Sequence, residues 1–319
     1  MHYRRLGHSG LKVSEISLGS WITFGSQIEE QAASDLIHAA YEQGVNYFDN
    51  ADMYAGGQAE VVMGRAIKDL PREALVISTK VFWPTMPGPN GRGLSRKHIR
   101  ESIDASLRRL GTDYVYLYFC HRFDPDTPLE EVVRTMDDLI HQGKILYWGT
   151  SEWEASQVAL AIGAAREYKL NAPTLEQPQY NLFHRDRVEC DLTPICKEYG
   201  LGLVTYSPLY YGILSGKYND GIPAGSRASL ESMGWLRDHI TPEVINTVRC
   251  LTDLATELDL TTAQLAIAWI LRRKEVSSVI TGATRIEQLD ENLAAADAVS
   301  LLSEDILDKI DEIMGNQPE

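Results

Sequence analysis

Four ionisable residues stand directly after short apolar runs. Asp49 and Tyr54 lie in Phe48-Asp49-Asn50-Ala51-Asp52-Met53-Tyr54, Lys80 ends Ile77-Ser78-Thr79-Lys80, and His121 ends Tyr118-Phe119-Cys120-His121. Together they can deliver a proton to an oxygen. Free tyrosine titrates near 10, too high for efficient transfer at neutral pH, and a nearby ammonium lowers that value by favouring the phenolate. Lys80 would supply the ammonium, Asp49 would hold it charged and in place, and His121 would position a substrate oxygen and relay a proton. This is the acid that carbonyl reduction needs. It supplies no hydride, so a cofactor must. Each residue alone has a plainer reading, as a solvated Lys, a turn Asp, a half-buried Tyr or a core His. Their convergence carries the argument.

Metal-assisted hydrolysis is the competing chemistry, because Asp124 and Asp126 follow His121 and Asp52 follows Asp49. No HxH or HExxH accompanies them, and only one His stands at a strand end. No metal is expected.

Convergence requires a scaffold. Apolar or β-branched runs at 16–18, 47–48, 75–78, 114–119, 145–148, 174–176, 203–206 and 276–280 read as strands. Helical periodicity fills the gaps. Leu36, Ile37, Ala40 and Tyr41 form one stripe, stopped by Gly44. Ile99, Ile103, Leu107 and Leu110 form another, with Ser95 as N-cap and Gly111 as the stop. Thr127-Pro128-Leu129-Glu130 reads as a capping box, as does the run from Thr261 to Gln264. Strands alternating with helices predict a parallel sheet. Eight such units can close into an α/β (β/α)8 TIM barrel, whose active sites gather at the C-terminal strand ends. A doubly wound dinucleotide fold would carry G-x-G-x-x-G after its first strand, and Gly56-Gly57 lacks that spacing.

Residues 2–13 read as an N-terminal β-hairpin that could plug the barrel. Residues 218–241 form a long Gly-, Pro- and Ser-rich connection, and loops of that length are usually functional. Extra helices are expected near the C-terminus, one over 242–258 and one from Ser303. Residues 1–319 are read as a single domain, since no linker divides them.

The chain has 319 residues, 30 basic and 45 acidic, for a net charge of −15. At 44% hydrophobic and 24% charged it has the composition of an ordinary globular protein. The charge argues against a nucleic-acid partner, which would need clustered Lys and Arg. An anionic small ligand would need a few local cations. Cys120, Cys190, Cys196 and Cys250 form no CxxC pair and suggest reduced, mostly buried thiols. With no secretory signal and no long uncharged apolar run, a cytoplasmic protein without membrane insertion is expected.

These residues resemble the aldo-keto reductase superfamily, and more narrowly its branch containing the β subunits of voltage-gated potassium channels. The resemblance runs from Arg4-Arg5-Leu6-Gly7 to Gly315-Asn316-Gln317-Pro318, carried by 21–27, 92–98, 147–151, 215–218, 226–230 and 264–269. It implies NADPH/NADP+ bound without a Rossmann domain, and hydride transfer to an aldehyde or ketone. Asp49, Tyr54, Lys80 and His121 match the family's catalytic tetrad, with Tyr54 as proton donor and Asp49 also beside the cofactor. Trp21 and Gln27 would line the nicotinamide end, Ser151 and Gln177 would bind the carboxamide, and Tyr206 would stack on the ring. Ser207, Pro208, Leu209, Gly212 and Lys217 would follow the ribose and pyrophosphate. Arg227, Thr284 and Gln288 resemble the grip on the 2′-phosphate and adenosine, Glu291 and Asn292 resemble adenine contacts, and Gly282 would allow close backbone approach.

His121 and Tyr206 stand where similar channel subunits have Asn and Trp, and both changes move toward the ordinary reductases. The leading expectation is a reductase of small carbonyl substrates, with Trp21, Trp83, Tyr54, Tyr210 and Tyr211 as a candidate aromatic pocket. The alternative is an NADP(H)-loaded redox-sensing subunit acting through a protein partner such as a channel. The resemblance also implies a homo-tetramer.

Overall fold

The structure is a computed structural model. It describes residues 1–25 and 27–318, with the backbone alone at Ser232. Ser26, inside the 21–27 segment, lies outside the described residues.

An antiparallel hairpin of β1 (Tyr3–Arg5) and β2 (Lys12–Ser14) comes first. Eight strands follow: β3 (Ile16–Gly19), β4 (Tyr47–Asp49), β5 (Val76–Val81), β6 (Val115–Cys120), β7 (Ile145–Ser151), β8 (Leu175–Gln177), β9 (Gly202–Thr205) and β10 (Val276–Thr281). Each pairs in parallel with the next, and β10 returns to β3 with Val279 opposite Ile16, closing the barrel. The expected (β/α)8 barrel with an N-terminal hairpin is therefore the observed fold.

Helices α1 (Glu30–Glu42), α2 (Gln58–Ala66), α3 (Arg96–Leu110), α4 (Leu129–His141), α5 (Ala155–Tyr168) and α6 (Thr193–Tyr199) are the first six crossovers. The connection from β9 to β10 carries short α7 (Gly234–Arg237), added α8 (Pro242–Glu257) and crossover α9 (Thr262–Leu271). α10 (Ile286–Ala294) and α11 (Glu304–Met314) finish the chain. Among the described residues, no single helix is long and apolar enough to cross a membrane.

The core has two layers. A large outer cluster fills the space between strands and helices. A smaller one, with Tyr47, Val76, Leu117, Phe119, Leu175 and Val204, fills the barrel interior. Leu6 and Val13 of the hairpin are fully buried in that inner cluster, so the hairpin closes the N-terminal mouth. Gly7 lets it sit there. Its φ is +54°, and a Cβ would meet the Gly200 carbonyl at 2.3 Å.

Three local expectations change. Thr127 does not cap α4: Pro128 takes the N-cap position without a side-chain bond, while the Thr127 hydroxyl donates to Asp124 Oδ2 at 2.8 Å. Tyr41 is only half-buried. Cys120 and Cys196 are buried, but Cys190 and Cys250 are exposed; all four are free.

Candidate active site

Side-chain alternation along each strand decides what enters the barrel. In β4 Tyr47 packs inward and Phe48 outward, so Asp49 points inward. In β5 Val76 points inward and Ile77 outward, which turns Ser78 and Lys80 inward. Thr79 faces out instead and donates to Glu60 of α2. Leu117 and Phe119 of β6 set the same phase for His121. Tyr54 arrives by another route, at the head of a turn where Ala55, Gly56 and Gly57 all take left-handed φ of 49°, 62° and 91°.

The four residues meet. The Lys80 ammonium is fully buried and donates to Asp49 Oδ2 (2.5 Å), to the Asn50 carbonyl (2.8 Å) and to the Tyr54 hydroxyl (3.2 Å). Its three protons thus have three acceptors. Asp49 Oδ1 accepts from Ser78 Oγ (2.6 Å), Gln177 Nε2 (3.2 Å) and Tyr47 OH (3.4 Å). The His121 ring stands edge-on to Tyr54, centroids 5.9 Å apart.

Burial governs the electrostatics. It holds the Tyr54 phenol well above its ordinary pKa, reinforced by the Asp49 carboxylate. The lowering expected from Lys80 does not emerge; Arg122 is the cation that opposes the rise, and Tyr54 rests as a protonated donor. Burial also lowers the Lys80 pKa, against the pull of Asp49. His121 is driven well below its usual value by burial, then by Lys80 and Arg122, so its imidazole is neutral at physiological pH.

Several other sequence-derived candidates stand at or just after the ends of β7, β8 and β9. Ser151 ends β7, and its hydroxyl donates to the Gln177 carbonyl (3.0 Å) at the end of β8. Through Gln177 this pair touches Asp49. Half-buried Tyr206 follows β9, and its N–H bonds the Pro178 carbonyl (3.1 Å). Ser207, Pro208 and Leu209 lead to Gly212 through a strained backbone. Ser207, Tyr210 and Tyr211 have φ of 53°, 46° and 59°. Such conformations cost about 1–3 kcal/mol each and cluster at functional sites.

Lys217 lies over Gly212, where a Cβ would meet its Nζ at 2.6 Å. Burial lowers the Lys217 pKa to about 8, helped by Arg227 and Arg285. None of these three cations has an ion pair among the described residues. A Cβ on Gly282 would meet nothing within 4 Å. The Thr284 N–H and hydroxyl both donate to Gln288 Oε1 (2.9 and 3.0 Å) at the start of α10. Three uncompensated cations, an open glycine and a strained loop fit an extended anionic dinucleotide. Trp21 is exposed, its ring 6.2 Å from Tyr211. Among the described residues no side-chain hydrogen bond ties Gln27, Glu291 or Asn292 to the rest, although Asn292 is buried.

The aromatic rim is partly as expected. Trp83 faces His121 at 6.4 Å, whereas Tyr210 is buried against Phe183 at 5.1 Å. Sequence reasoning missed Trp235, which the 218–241 connection folds onto Tyr211 at 4.9 Å. An aromatic inside a Gly- and Ser-rich loop was the available signal. It also missed Tyr47 and Ser78 as supports for Asp49, though both stand two residues from a tetrad member on the same strand face.

A model of the aldo/keto reductase family matches residues 15–314. The chain is 49% identical, over all of its length and 98% of the relative's, to a probable voltage-gated potassium channel subunit beta of Arabidopsis thaliana. It is 48% identical, with the same coverage, to a protein of that name in Oryza sativa subsp. japonica.

Proposed function

The chain belongs to the aldo/keto reductase family, and on that premise we propose that it is an NADPH-dependent oxidoreductase that reduces aldehydes and ketones to alcohols. The observation that carries this reading is the buried Lys80 ammonium joined to both Asp49 and Tyr54. When bound, the nicotinamide supplies the hydride, which no side chain can provide. Ser151 and Gln177 would hold its carboxamide. Lys217 and Arg227 would hold phosphate charge.

Tyr54 gives its proton to the carbonyl oxygen. As it does so, its own oxygen becomes a better acceptor for Lys80, whose hydrogen bond is already in place. Asp49 and the Asn50 carbonyl fix the other two ammonium protons. Neutral His121 offers a hydrogen bond to the substrate oxygen without adding charge. On this reading Tyr54→Phe lowers kcat for 4-nitrobenzaldehyde by about 10²–10⁴ and leaves NADPH binding intact; full turnover would overturn it. The unmodified protein should prefer NADPH to NADH, and Arg227→Ala should erode that preference. Equal affinity for the two cofactors would remove Arg227 from its role.

The names of the two relatives favour a second reading, an NADP(H)-loaded sensor whose output is a partner interaction. Negligible multiple turnover together with a stable partner in a pull-down would select it. The family resemblance implies a homo-tetramer, which a molar mass near that of the 35.7 kDa monomer by light scattering would exclude. Barrel closure between residues 16 and 281 supports a single domain over 1–319. The four free thiols suit a cytoplasmic setting.

A further inference from the structure

We propose that Arg92 and Arg122, set around Trp83, form an anion subsite at the active-site rim, and that the carbonyl substrates this site favours carry a carboxylate or a phosphate. The proposal rests on the reductase reading and narrows its substrate class.

Arg122 follows His121 directly, and its Nη1 donates to the His121 carbonyl (2.5 Å). Its guanidinium carbon lies 5.7 Å from the centre of the Trp83 ring; that of Arg92 lies 5.6 Å from the same ring and 5.2 Å from Phe82. Trp83 in turn stands 6.4 Å from His121, which faces the Tyr54 donor at 5.9 Å. Both cations therefore border Trp83, and Trp83 and His121 are the two rings that link them to the Tyr54 donor.

Neither arginine has an ion pair among the described residues, in a chain with fifteen more acids than bases. The nearby carboxylate is already engaged. Asp124 accepts from the backbone N–H of Leu94 (2.7 Å) and of Asp126 (3.1 Å), and from Thr127 Oγ1 (2.8 Å). Gly93 makes this possible: its φ is +92°, and a Cβ would meet Asp124 Oδ2 at 2.6 Å. Asp124 thus anchors the loop that carries Arg92 and leaves the guanidinium free.

Stacking against an indole fixes a guanidinium while leaving its edge donors available. Such donors suit the paired oxygens of a carboxylate or phosphate. Arg122 also acts on the catalytic groups, contributing to the low pKa values of His121 and Lys80. An anion beside it would relieve part of that effect.

The test compares para-substituted benzaldehydes of different charge. With NADPH saturating, kcat/KM is measured for 4-carboxybenzaldehyde against its methyl ester, and for 4-formylphenyl phosphate against 4-methoxybenzaldehyde. The acid should be favoured over the ester at least tenfold at low salt, with the gain in KM and shrinking as ionic strength rises. Arg92→Gln and Arg122→Gln should each lower the acid-to-ester ratio at least fivefold. Taking ratios cancels any general effect of Arg122 on the tetrad, and Arg92→Gln, on an exposed loop, covers the case in which the other variant fails to fold. Preference in the first pair alone assigns the subsite to carboxylates, and in the second alone to phosphates. Turnover of both neutral aldehydes with no charge preference overturns the subsite and leaves the reductase reading standing. Absence of turnover on all four overturns both.

Discussion

Asp52 is buried three residues beyond Asp49, and among the described residues its carboxylate has no close hydrogen-bond partner, with Ser102 and the Met53 backbone near enough to act on it only weakly. Burial and the Glu60 carboxylate raise its pKa to about 8, against an ordinary value near 4. The folded state therefore holds this proton more tightly than the unfolded chain. Its contribution to stability is complete below about pH 4 and is lost as pH rises through about 8. Asp52→Asn keeps the shape and removes the titration. The unmodified protein should lose about 2–5 kcal/mol relative to the variant between pH 5 and pH 9, at roughly 1.4 kcal/mol per pKa unit. Urea unfolding at the two pH values measures it, and parallel losses would show that Asp52 is ionised in the fold. The tetrad was legible at this scale because period-2 alternation, read from strand ends, turns Asp49, Lys80 and His121 to one face. The Tyr54 pKa was not legible. Its direction is set by burial and by the Asp49 carboxylate, a balance that no local spacing reveals.

Elements differ in how far local chemistry decides them. The strand runs were readable to within about three residues, because Val, Ile and aromatic residues pack on a pleated surface. Caps depend on what else can reach the hydroxyl. At α9 Thr261 accepts from the Gln264 N–H (3.2 Å), and Gln264 Oε1 accepts in return from the Thr261 N–H (3.0 Å). At α4 the same signature fails, since Asp124 offers Thr127 a charged acceptor and Glu130 pairs with Arg134 (2.8 Å). The two threonines should therefore respond differently to alanine. Thr261→Ala should cost about 1 kcal/mol of stability, seen as a lower urea midpoint, with no change in substrate charge preference. Thr127→Ala frees Asp124, loosens the Arg92 loop and should lower the acid-to-ester ratio. Equal effects on both readouts would mean that Thr127 is an ordinary cap after all. Gly64 tests packing between elements: a Cβ there would meet the Leu110 carbonyl, at the end of α3, at 2.5 Å. Gly64→Ala should push α2 away and cost about 1–3 kcal/mol by the same measurement.

The whole molecule depends on a closure that no local window contains. β3 and β10 pair across more than 250 residues, and only the count of eight strand–helix units pointed to it. The N-terminal hairpin locks that seam. Arg4 donates from Nε to Glu15 Oε1 (2.5 Å), from Nη1 to the carbonyls of Arg273 and Val276 (both 2.9 Å), and from Nη2 to the Leu271 carbonyl (2.7 Å). One guanidinium thus joins the hairpin to the end of α9 and the start of β10. The Glu15 carbonyl also accepts from the Val279 N–H (2.8 Å). Both side chains are largely shielded, at 22% and 11% exposure for Arg4 and Glu15, so removing Arg4 would leave a mostly buried carboxylate and three carbonyls unpaired. Arg4→Ala should therefore lower the unfolding free energy by about 2–4 kcal/mol. Arg4→Lys should recover less than half of it, because a single ammonium cannot span the same acceptors. The active site lies at the opposite mouth, so turnover at 25 °C should stay within about twofold of the unmodified protein. A loss below about 1 kcal/mol in urea would make the hairpin a passive cover, with the closure held by β3 and β10 alone.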